Sequence, residues 1–161
     1  MEKSEILLKL EKVLLEKIEK AEEIYQSSYE YTTKGDVKSD GKYDTRGTEA
    51  GYLAGAQKKR VEELKNDLNQ LRAISVEVFS SSRSVAVGSL IELECECDKQ
   101  TSHYFISPSL GGETLEIEGV SIQVISQNSP ISIASFGLDQ DDSFELETPR
   151  GVKVYTIVCV N

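Results

Sequence analysis

The stretch KGDVKSDGKYDTRGTEAGYLAG at residues 34–55 separates two segments with helical patterning. Before it, apolar and small residues recur at alternating steps of three and four, at Leu7, Leu10, Leu14, Ala21, Ile24, Ser28 and Tyr31, with Lys17 as an interruption and Ile18 beside it. After it, the same spacing is repeated by Val61, Leu64, Leu68 and Leu71. Because two such stripes can be buried only against each other, the pattern predicts an antiparallel coiled-coil hairpin with residues 34–55 at its tip.

The two predicted helices are long for a chain of 161 residues. Each arm would contain about 30 residues and extend ~45 Å, since a helix rises about 1.5 Å per residue. Ser4 is placed to cap the first helix, which we expect to end near Thr33, and Gly35 suits the left-handed residue that follows a helix. We therefore assign residues 1–75 to a hairpin domain.

The pattern changes near residue 75, and all three prolines, Pro108, Pro130 and Pro149, lie beyond that point. Alternating and β-branched runs predict strands at 90–97, 103–106, 115–117, 122–125, 144–147 and 152–160, with a turn at 98–100. A short helix is predicted at 129–137, with Pro130 in its first turn. We assign 76–84 to a Ser-rich linker and 85–161 to a small antiparallel sheet wrapped on one short helix, which makes the fold class α+β.

The net charge of −10 is spread unevenly, because residues 85–161 hold 3 basic against 12 acidic residues. Such a surface disfavours nucleic acid and suits a basic protein partner, with simple solubility as the open alternative. The apolar positions of the first 24 residues are interrupted by Lys or Glu, unlike a signal peptide, and the uncharged stretch 119–138 is too polar to span a membrane. We expect a cytoplasmic protein without membrane contact.

The cysteines, Cys95, Cys97 and Cys159, are odd in number and contain no CxxC pair. Cys95 and Cys97 would share one face of a strand, with His103 on a neighbouring stretch. A metal site would need a fourth ligand and better spacing, so buried thiols in a reducing compartment are the preferred interpretation.

Acidic residues mark the tip at Asp36, Asp40 and Asp44. Ser39 or Asp40 could cap the second helix, so helix capping is an open alternative to a chemical role for Asp40. Asp36 follows the residue that ends the first helix and caps nothing obvious. The acidity of the tip is therefore a candidate functional feature, most clearly at Asp36.

Glycines recur at intervals of four after the tip, at Gly47, Gly51 and Gly55. Each costs a helix roughly 1 kcal/mol relative to alanine, so some contact must need the missing side chains. Either the two helices approach closely there, or an outside wall approaches the hairpin.

The run Ser129-Pro130-Ile131 through Gly137, followed by Asp142, Thr148-Pro149 and Gly151, resembles the C-terminal signature of the Gre-type bacterial transcription elongation factors. The tip residues Gly35-Asp36-Val37-Lys38, then Tyr43, Gly51-Tyr52 and Gly55, are similar to the hairpin tip of the same family. The resemblance covers nearly the whole chain in the right order. It identifies the chain as a divergent Gre-like member.

The resemblance implies a monomer that binds RNA polymerase. The coiled coil would enter the secondary channel, an FKBP-like C-terminal domain would grip the channel rim, and the RNA 3′ end would be met only within the complex. The implied docking residues are Ser129, Pro130, Ile131, Ile133, Phe136, Gly137 and Asp142. A factor of this kind is no enzyme of its own, because it acts through the polymerase active site.

In Gre factors, two acidic tip residues help to hold the second catalytic Mg²⁺ while the polymerase cleaves backtracked RNA, because hard anionic oxygens recruit this ion beside a phosphate. Asp36 matches the first acid, and Ser39 occupies the second position. The resemblance thus implies no tightly bound cofactor and a Mg²⁺ shared at Asp36 only in the complex. Asp40 and Asp44 are candidates to compensate, with Gly35, Ser39 and Tyr43 positioning the tip.

The chain departs from the family at Ser39, at Ile133, where a basic residue is frequent, and at Leu138-Asp139, where two are. A channel inhibitor or competitor without cleavage activity is therefore the alternative function. An FKBP-type prolyl isomerase and a coiled-coil adaptor are further alternatives. The isomerase pocket is aromatic, whereas this domain has no Trp and only five aromatic residues, Tyr104, Phe105, Phe136, Phe144 and Tyr155.

Overall fold

The computed structural model describes residues 3–34, 46–74, 84–149 and 151–161. The chain divides into two compact units, one comprising Glu11–Asn69 and the other Met1–Leu10 with Gln70–Asn161. The predicted domain boundaries at residues 75 and 85 stay a prediction. Within the described ranges, no helix combines the length and the apolar composition needed to cross a membrane.

Two long helices open the chain, α1 at Lys3–Lys34 and α2 at Arg46–Arg72, so the predicted helices are confirmed. Helix α1 already includes Lys3, which places Ser4 in the first turn rather than at the capping position, where it was predicted. The two helices run antiparallel in the unit Glu11–Asn69, because Lys65 Nζ lies 2.6 Å from Glu22 Oε1 while Ala50 lines a cavity with Ser28.

The predicted seam is buried on α2 and only in part on α1, where Leu10, Leu14 and Ala21 are buried but Leu7 and Ser28 are half-buried. On α2 the burial falls on Val61, Leu64, Leu68 and Leu71, as predicted, and extends to Ala50 and Ala54. On α1 the fully or nearly buried residues are Ile6, Leu10, Leu14, Ile18 and Ala21. Ile24 and Tyr31 were predicted in the seam, but they are 53% and 60% exposed. The seam therefore ends before the last turns of α1.

Six strands and a short helix follow: β1 Leu90–Cys95, β2 Thr101–Ser107, β3 Thr114–Ile117, β4 Val120–Ser126, α3 Pro130–Ser135, β5 Ser143–Thr148 and β6 Gly151–Val160. They form one sheet in the order β3-β4-β2-β1-β6-β5. All the predicted strands and the short helix are present, which confirms the α+β fold class with a helical hairpin and a small sheet domain.

The sheet is mixed rather than purely antiparallel as predicted, because β2 pairs with β4 in parallel. Its other pairings, β1–β2, β1–β6, β3–β4 and β5–β6, are antiparallel. A tight turn at Glu118-Gly119, where both residues have positive φ, at 51° and 80°, joins β3 to β4. β4 rather than β3 is the neighbour of β2, and β3 lies at the edge of the sheet. The alternating pattern predicts which residues of a strand face the core, but it does not determine which strand becomes the neighbour.

The core of this unit lies on the sheet face covered by α3. Seven buried residues form it, Val85, Ile91, Leu93, Tyr104, Ile106, Phe144 and Ile157. Ile131, Ala134 and Leu138 pack against this cluster from α3 and the segment that follows it. The core thereby fixes α3 on the sheet, which decides the side chains that the helix presents to solvent.

Candidate partner-docking site

Serine hydroxyl groups define the start and the inner face of α3. Ser129 is the N-cap, and its side chain accepts a hydrogen bond from Ser132 N at 3.2 Å. Pro130 at the first helical position has no N–H to leave unpaired. Ser132 and Ser135 are fully buried, and the Ser132 hydroxyl donates to the Ser126 carbonyl oxygen at 2.8 Å. This helix of six residues is therefore anchored by hydrogen bonds rather than by its own length.

Two large apolar side chains of this segment point to solvent. Ile133 is 67% exposed and Phe136, directly after the helix, is 57% exposed. We call this pair the docking-helix surface. Exposed apolar side chains on an anchored segment are candidates for contact with a partner protein.

The segment after α3 is held by backbone contacts. Gly137 has a φ of +79°, a value that favours glycine, and its N–H donates to the Val85 carbonyl oxygen at 2.9 Å. Asp142 Oδ2 accepts a hydrogen bond from Asp139 N at 2.8 Å. Asp142 therefore closes its own loop and positions it, while the side chain remains exposed at the surface.

The predicted docking residues thus fall into two groups. Pro130, Ile133, Phe136, Gly137 and Asp142 are exposed. Ser129 and Ile131 are partly buried, since Ser129 caps the helix and Ile131 packs on the core. Both groups lie on one short segment, in which Ser129 and Ile131 hold α3 in place and the exposed residues form the surface.

The predicted tip residues, Gly35, Asp36, Ser39, Asp40, Tyr43 and Asp44, lie outside the described residues. The helix ends that flank the tip carry a set of exposed apolar residues, Ile24, Tyr29, Tyr31, Tyr52 and Leu53, which we call the distal hairpin surface. An open cavity of ≈ 460 Å³ lies there, lined by Ser27, Ser28, Tyr31, Glu49, Ala50 and Leu53. This surface was not predicted from the sequence, although three tyrosines that lie outside the seam, Tyr25, Tyr29 and Tyr52, are its signal.

Gly51 and Gly55 do not serve a close approach between the two helices. A Cβ atom built at Gly51 or at Gly55 would meet nothing within 4 Å. The small residues that face the seam are instead Ala50 and Ala54, which are 9% and 7% exposed. The first of the two predicted explanations is therefore wrong for Gly51 and Gly55. The second, an outside wall that approaches the hairpin, stays a prediction.

The cysteines depart from the prediction of buried thiols. Cys95 and Cys97 are joined in a disulfide, and Cys159 is free. Strand β1 ends at Cys95, so Cys97 lies in the following turn and is exposed rather than placed on the same strand face. Among the described residues, Cys95, Cys97 and Asp98 form one group whose possible ligand atoms lie within 4.8 Å of one another, but sulfurs joined in a disulfide are not the thiolates that a metal ion binds. His103 is not in it, and its Nε2 lies 3.9 Å from Glu92 Oε2.

Comparison with known proteins extends the resemblance over most of the chain. No family model matches the sequence. The chain is 28% identical over 131 residues to transcription elongation factor GreA of Polaromonas naphthalenivorans, covering 81% of this chain and 77% of that protein. It is 26% identical over 140 residues to GreA of Haemophilus influenzae, covering 86% and 82%.

A solved structure of Thermus aquaticus Gfh1 is 24% identical, covers 98% of this chain and 93% of its own, and has a TM-score of 0.41. The chain combines a helical hairpin with a small mixed-sheet domain. The sequence relatives identify the chain as a divergent relative of the Gre-type transcription elongation factors.

Proposed function

We propose that this protein is a cytoplasmic, monomeric regulator of transcription elongation that binds RNA polymerase. The observation that carries the proposal is the similarity to transcription elongation factor GreA over 81% of the chain. The two family-like motifs in the sequence, at the tip and at 129–151, support it. The docking-helix surface would bind the rim of the secondary channel, and the hairpin would enter the channel. The C-terminal part of the chain, residues 85–161, holds 12 acidic residues, and this negative charge suits a basic channel rim.

The tip would act at the polymerase active centre, and its donor set fits a shared Mg²⁺ only in part. Asp36 supplies one carboxylate, whereas Ser39 offers a hydroxyl group in place of the second. Mg²⁺ beside a transferring phosphate stabilises the in-line displacement, and anionic oxygen ligands are what recruit it. We therefore propose weak stimulation of RNA cleavage by this chain.

Blocking of the channel without cleavage is the second candidate function, and Ser39 is the residue that favours it. The two functions are separated on stalled, backtracked complexes. If the tip reaches the active centre, Ser39→Glu should clearly increase RNA cleavage, and Asp36→Ala should abolish any Mg²⁺-dependent effect while binding persists. Unchanged transcription with both variants would remove the tip from the mechanism.

Asp40→Ala is the matched control for Asp36→Ala, because both remove one carboxylate from the same segment. A capping role for Asp40 predicts a loss of about 1 kcal/mol in helix stability without an effect on cleavage. A chemical role for Asp40 predicts a loss of cleavage without a loss of helix stability. Circular dichroism and cleavage assays on the same preparations distinguish the two.

The protein would have no enzymatic activity of its own. An isomerase pocket needs aromatic walls, but Tyr104, Phe105 and Phe144 are 8%, 0% and 8% exposed and serve the core. Tyr155 packs against the same core, which leaves Phe136 as the exposed aromatic residue of the sheet domain. We expect no acceleration of prolyl isomerisation in a peptide assay.

Co-elution with core RNA polymerase in gel filtration tests the proposal as a whole. The chain should migrate with the polymerase at micromolar concentration and should be displaced by an excess of a GreA factor. Absence of co-elution would overturn the proposal, and co-elution without displacement would overturn the proposed location in the secondary channel.

A further inference from the structure

The turn between β1 and β2 brings two cysteines together at different depths. Cys95, the last residue of β1, is 5% exposed, and Cys97 is exposed in the turn. Their Cα atoms are 5.4 Å apart, inside the range that a disulfide requires. One sulfur is therefore accessible to a reagent in solution, and the second lies behind it within bonding reach.

Backbone hydrogen bonds hold this turn without help from the sulfur atoms. Cys95 N donates to the Gln100 carbonyl oxygen at 3.0 Å, and Lys99 N donates to the Cys95 carbonyl oxygen at 2.9 Å. Glu96 N donates to the Val154 carbonyl oxygen of β6 at 3.0 Å. The two sulfurs should therefore remain neighbours whether or not they are bonded.

A disulfide between these residues does little for folding. Cross-links stabilise mainly by closing long loops in the unfolded chain, and here the two cysteines are separated by only two positions in sequence. The neighbouring strands are already paired through the β1–β2 and β1–β6 ladders. The pair is thus poorly explained as a structural cross-link.

We propose that Cys95 and Cys97 form a thiol–disulfide site that exchanges electrons with small disulfides. The Cys97 thiolate attacks one sulfur of the small disulfide, forms a mixed disulfide and releases one thiolate. The Cys95 thiolate then attacks Cys97 Sγ, closes the Cys95–Cys97 disulfide and releases the second thiolate. The two released thiolates take up the two protons that the cysteines lost, so the small disulfide is reduced by two electrons and the protein is oxidised.

The charge around the site selects the reagent. A carboxylate oxygen of Asp98 lies within 4.8 Å of both sulfurs, and Glu96 precedes Cys97 in the exposed turn. The Lys99 ammonium group is engaged with Glu94 Oε1 at 3.0 Å. The site is therefore net negative, which attracts a cationic disulfide such as cystamine and repels an anionic one such as glutathione disulfide.

The sequence of steps is tested with the reduced full chain carrying Cys159→Ser, so that only the pair can react. After cystamine treatment, mass spectrometry should show the loss of two hydrogen atoms and no retained adduct. Adding Cys95→Ser should trap the mixed disulfide on Cys97, because the second attack is lost. Adding Cys97→Ser should slow the reaction at least tenfold, because Cys95 is buried.

Two results would overturn the proposal. One is a stable cystamine adduct in the chain that retains both cysteines, which would show that the second attack does not occur. The other is equal reactivity of Cys97→Ser and the parent chain. Unchanged far-UV circular dichroism of each variant establishes that the fold is retained.

Asp98→Asn tests the selection by charge, because an amide oxygen can still accept the hydrogen bond that Gln100 N donates to Asp98 Oδ1 at 3.1 Å. We expect the rate with cystamine to fall by up to about fivefold in this variant, as for loss of one unit charge near 4 Å in water, and the rate with glutathione disulfide to rise, so the rate ratio of the two reagents falls by more than either rate alone. Added salt should lower the parent ratio in the same direction. A ratio that neither change alters would overturn the selection by charge.

Discussion

The sheet core and the distal hairpin surface use their apolar residues in opposite ways. In the sheet, Leu93, Ile106 and Ile157 are 0% exposed. In the last turns of α1 and the first turns of α2, Ile24 and Leu53 are 53% and 55% exposed, and the buried residues are alanines. The sheet is therefore stabilised from within, whereas the distal hairpin leaves apolar side chains exposed, which we expect to contact a surface from outside.

The largest effect should separate the two regions by stability. Leu93→Ala should lower the free energy of unfolding by about 2–5 kcal/mol, because a fully buried leucine leaves a cavity. Leu53→Ala, the matched truncation on the hairpin, should change it by less than about 0.5 kcal/mol. Chemical denaturation followed by far-UV circular dichroism measures both. Equal losses would contradict the contrast between the regions.

Substitution of glycine by alanine should change stability in opposite directions in the sheet and in the hairpin. Gly119→Ala should cost about 1–2 kcal/mol, because φ at this position is +80° and a Cβ there meets nothing within 4 Å, so only backbone strain acts. Gly51→Ala should instead stabilise the hairpin by up to about 1 kcal/mol, since helical glycine is unfavourable and space is open.

Gly51→Ala also tests the wall that is expected to approach the hairpin. If the missing side chain serves such a wall, the stabilised variant should bind RNA polymerase more weakly. A variant that is more stable and binds equally well would mean that Gly51 has no role in the interface.

A smaller effect, on the pH dependence of stability, is expected from Tyr104 in the sheet at alkaline pH. Burial raises the pKa of the Tyr104 phenol above its usual value of 10.0, because the core disfavours the phenolate. The folded state therefore retains the proton longer than the unfolded state, so stability is complete below pH 10 and declines as pH rises through the raised pKa. Tyr104→Phe should flatten this decline in denaturation curves recorded across that range, and an unchanged decline would exclude Tyr104 as its source.

Periodic features were predictable from the sequence. The spacing of Val61, Leu64 and Leu68 fixed the buried face of α2, and Ser129-Pro130 marked the start of α3 because both residues have a direct role at a helix N-terminus. Long repeats and helix caps depend on residues that are close in sequence, so they can be predicted without knowledge of the tertiary contacts.

Features that depend on contacts between residues distant in sequence were not predictable. Tyr31 fits the heptad spacing, yet it lines an open cavity with Ala50, whose short side chain does not fill the seam at that level. The parallel pairing of β2 with β4 depends on which strand becomes the neighbour of β2, which no single strand encodes. Cys97 is exposed because β1 ends at Cys95, whereas the alternating pattern predicted a strand that continues to residue 97.

Docking through α3 is tested most directly by titrating core RNA polymerase with three variants of the chain and measuring their binding by fluorescence anisotropy. The chains are the parent, Ile133→Ser with Phe136→Ser, and Val152→Ser. Val152 is the matched control, because it is 58% exposed on the same sheet domain but far from α3 in sequence.

The double variant should lose affinity by at least about tenfold, since each large apolar side chain buried in a contact contributes about 1.5–3 kcal/mol. Val152→Ser should bind like the parent. Equal affinity of all three chains, or a loss confined to Val152→Ser, would contradict docking of this Gre-type relative through α3.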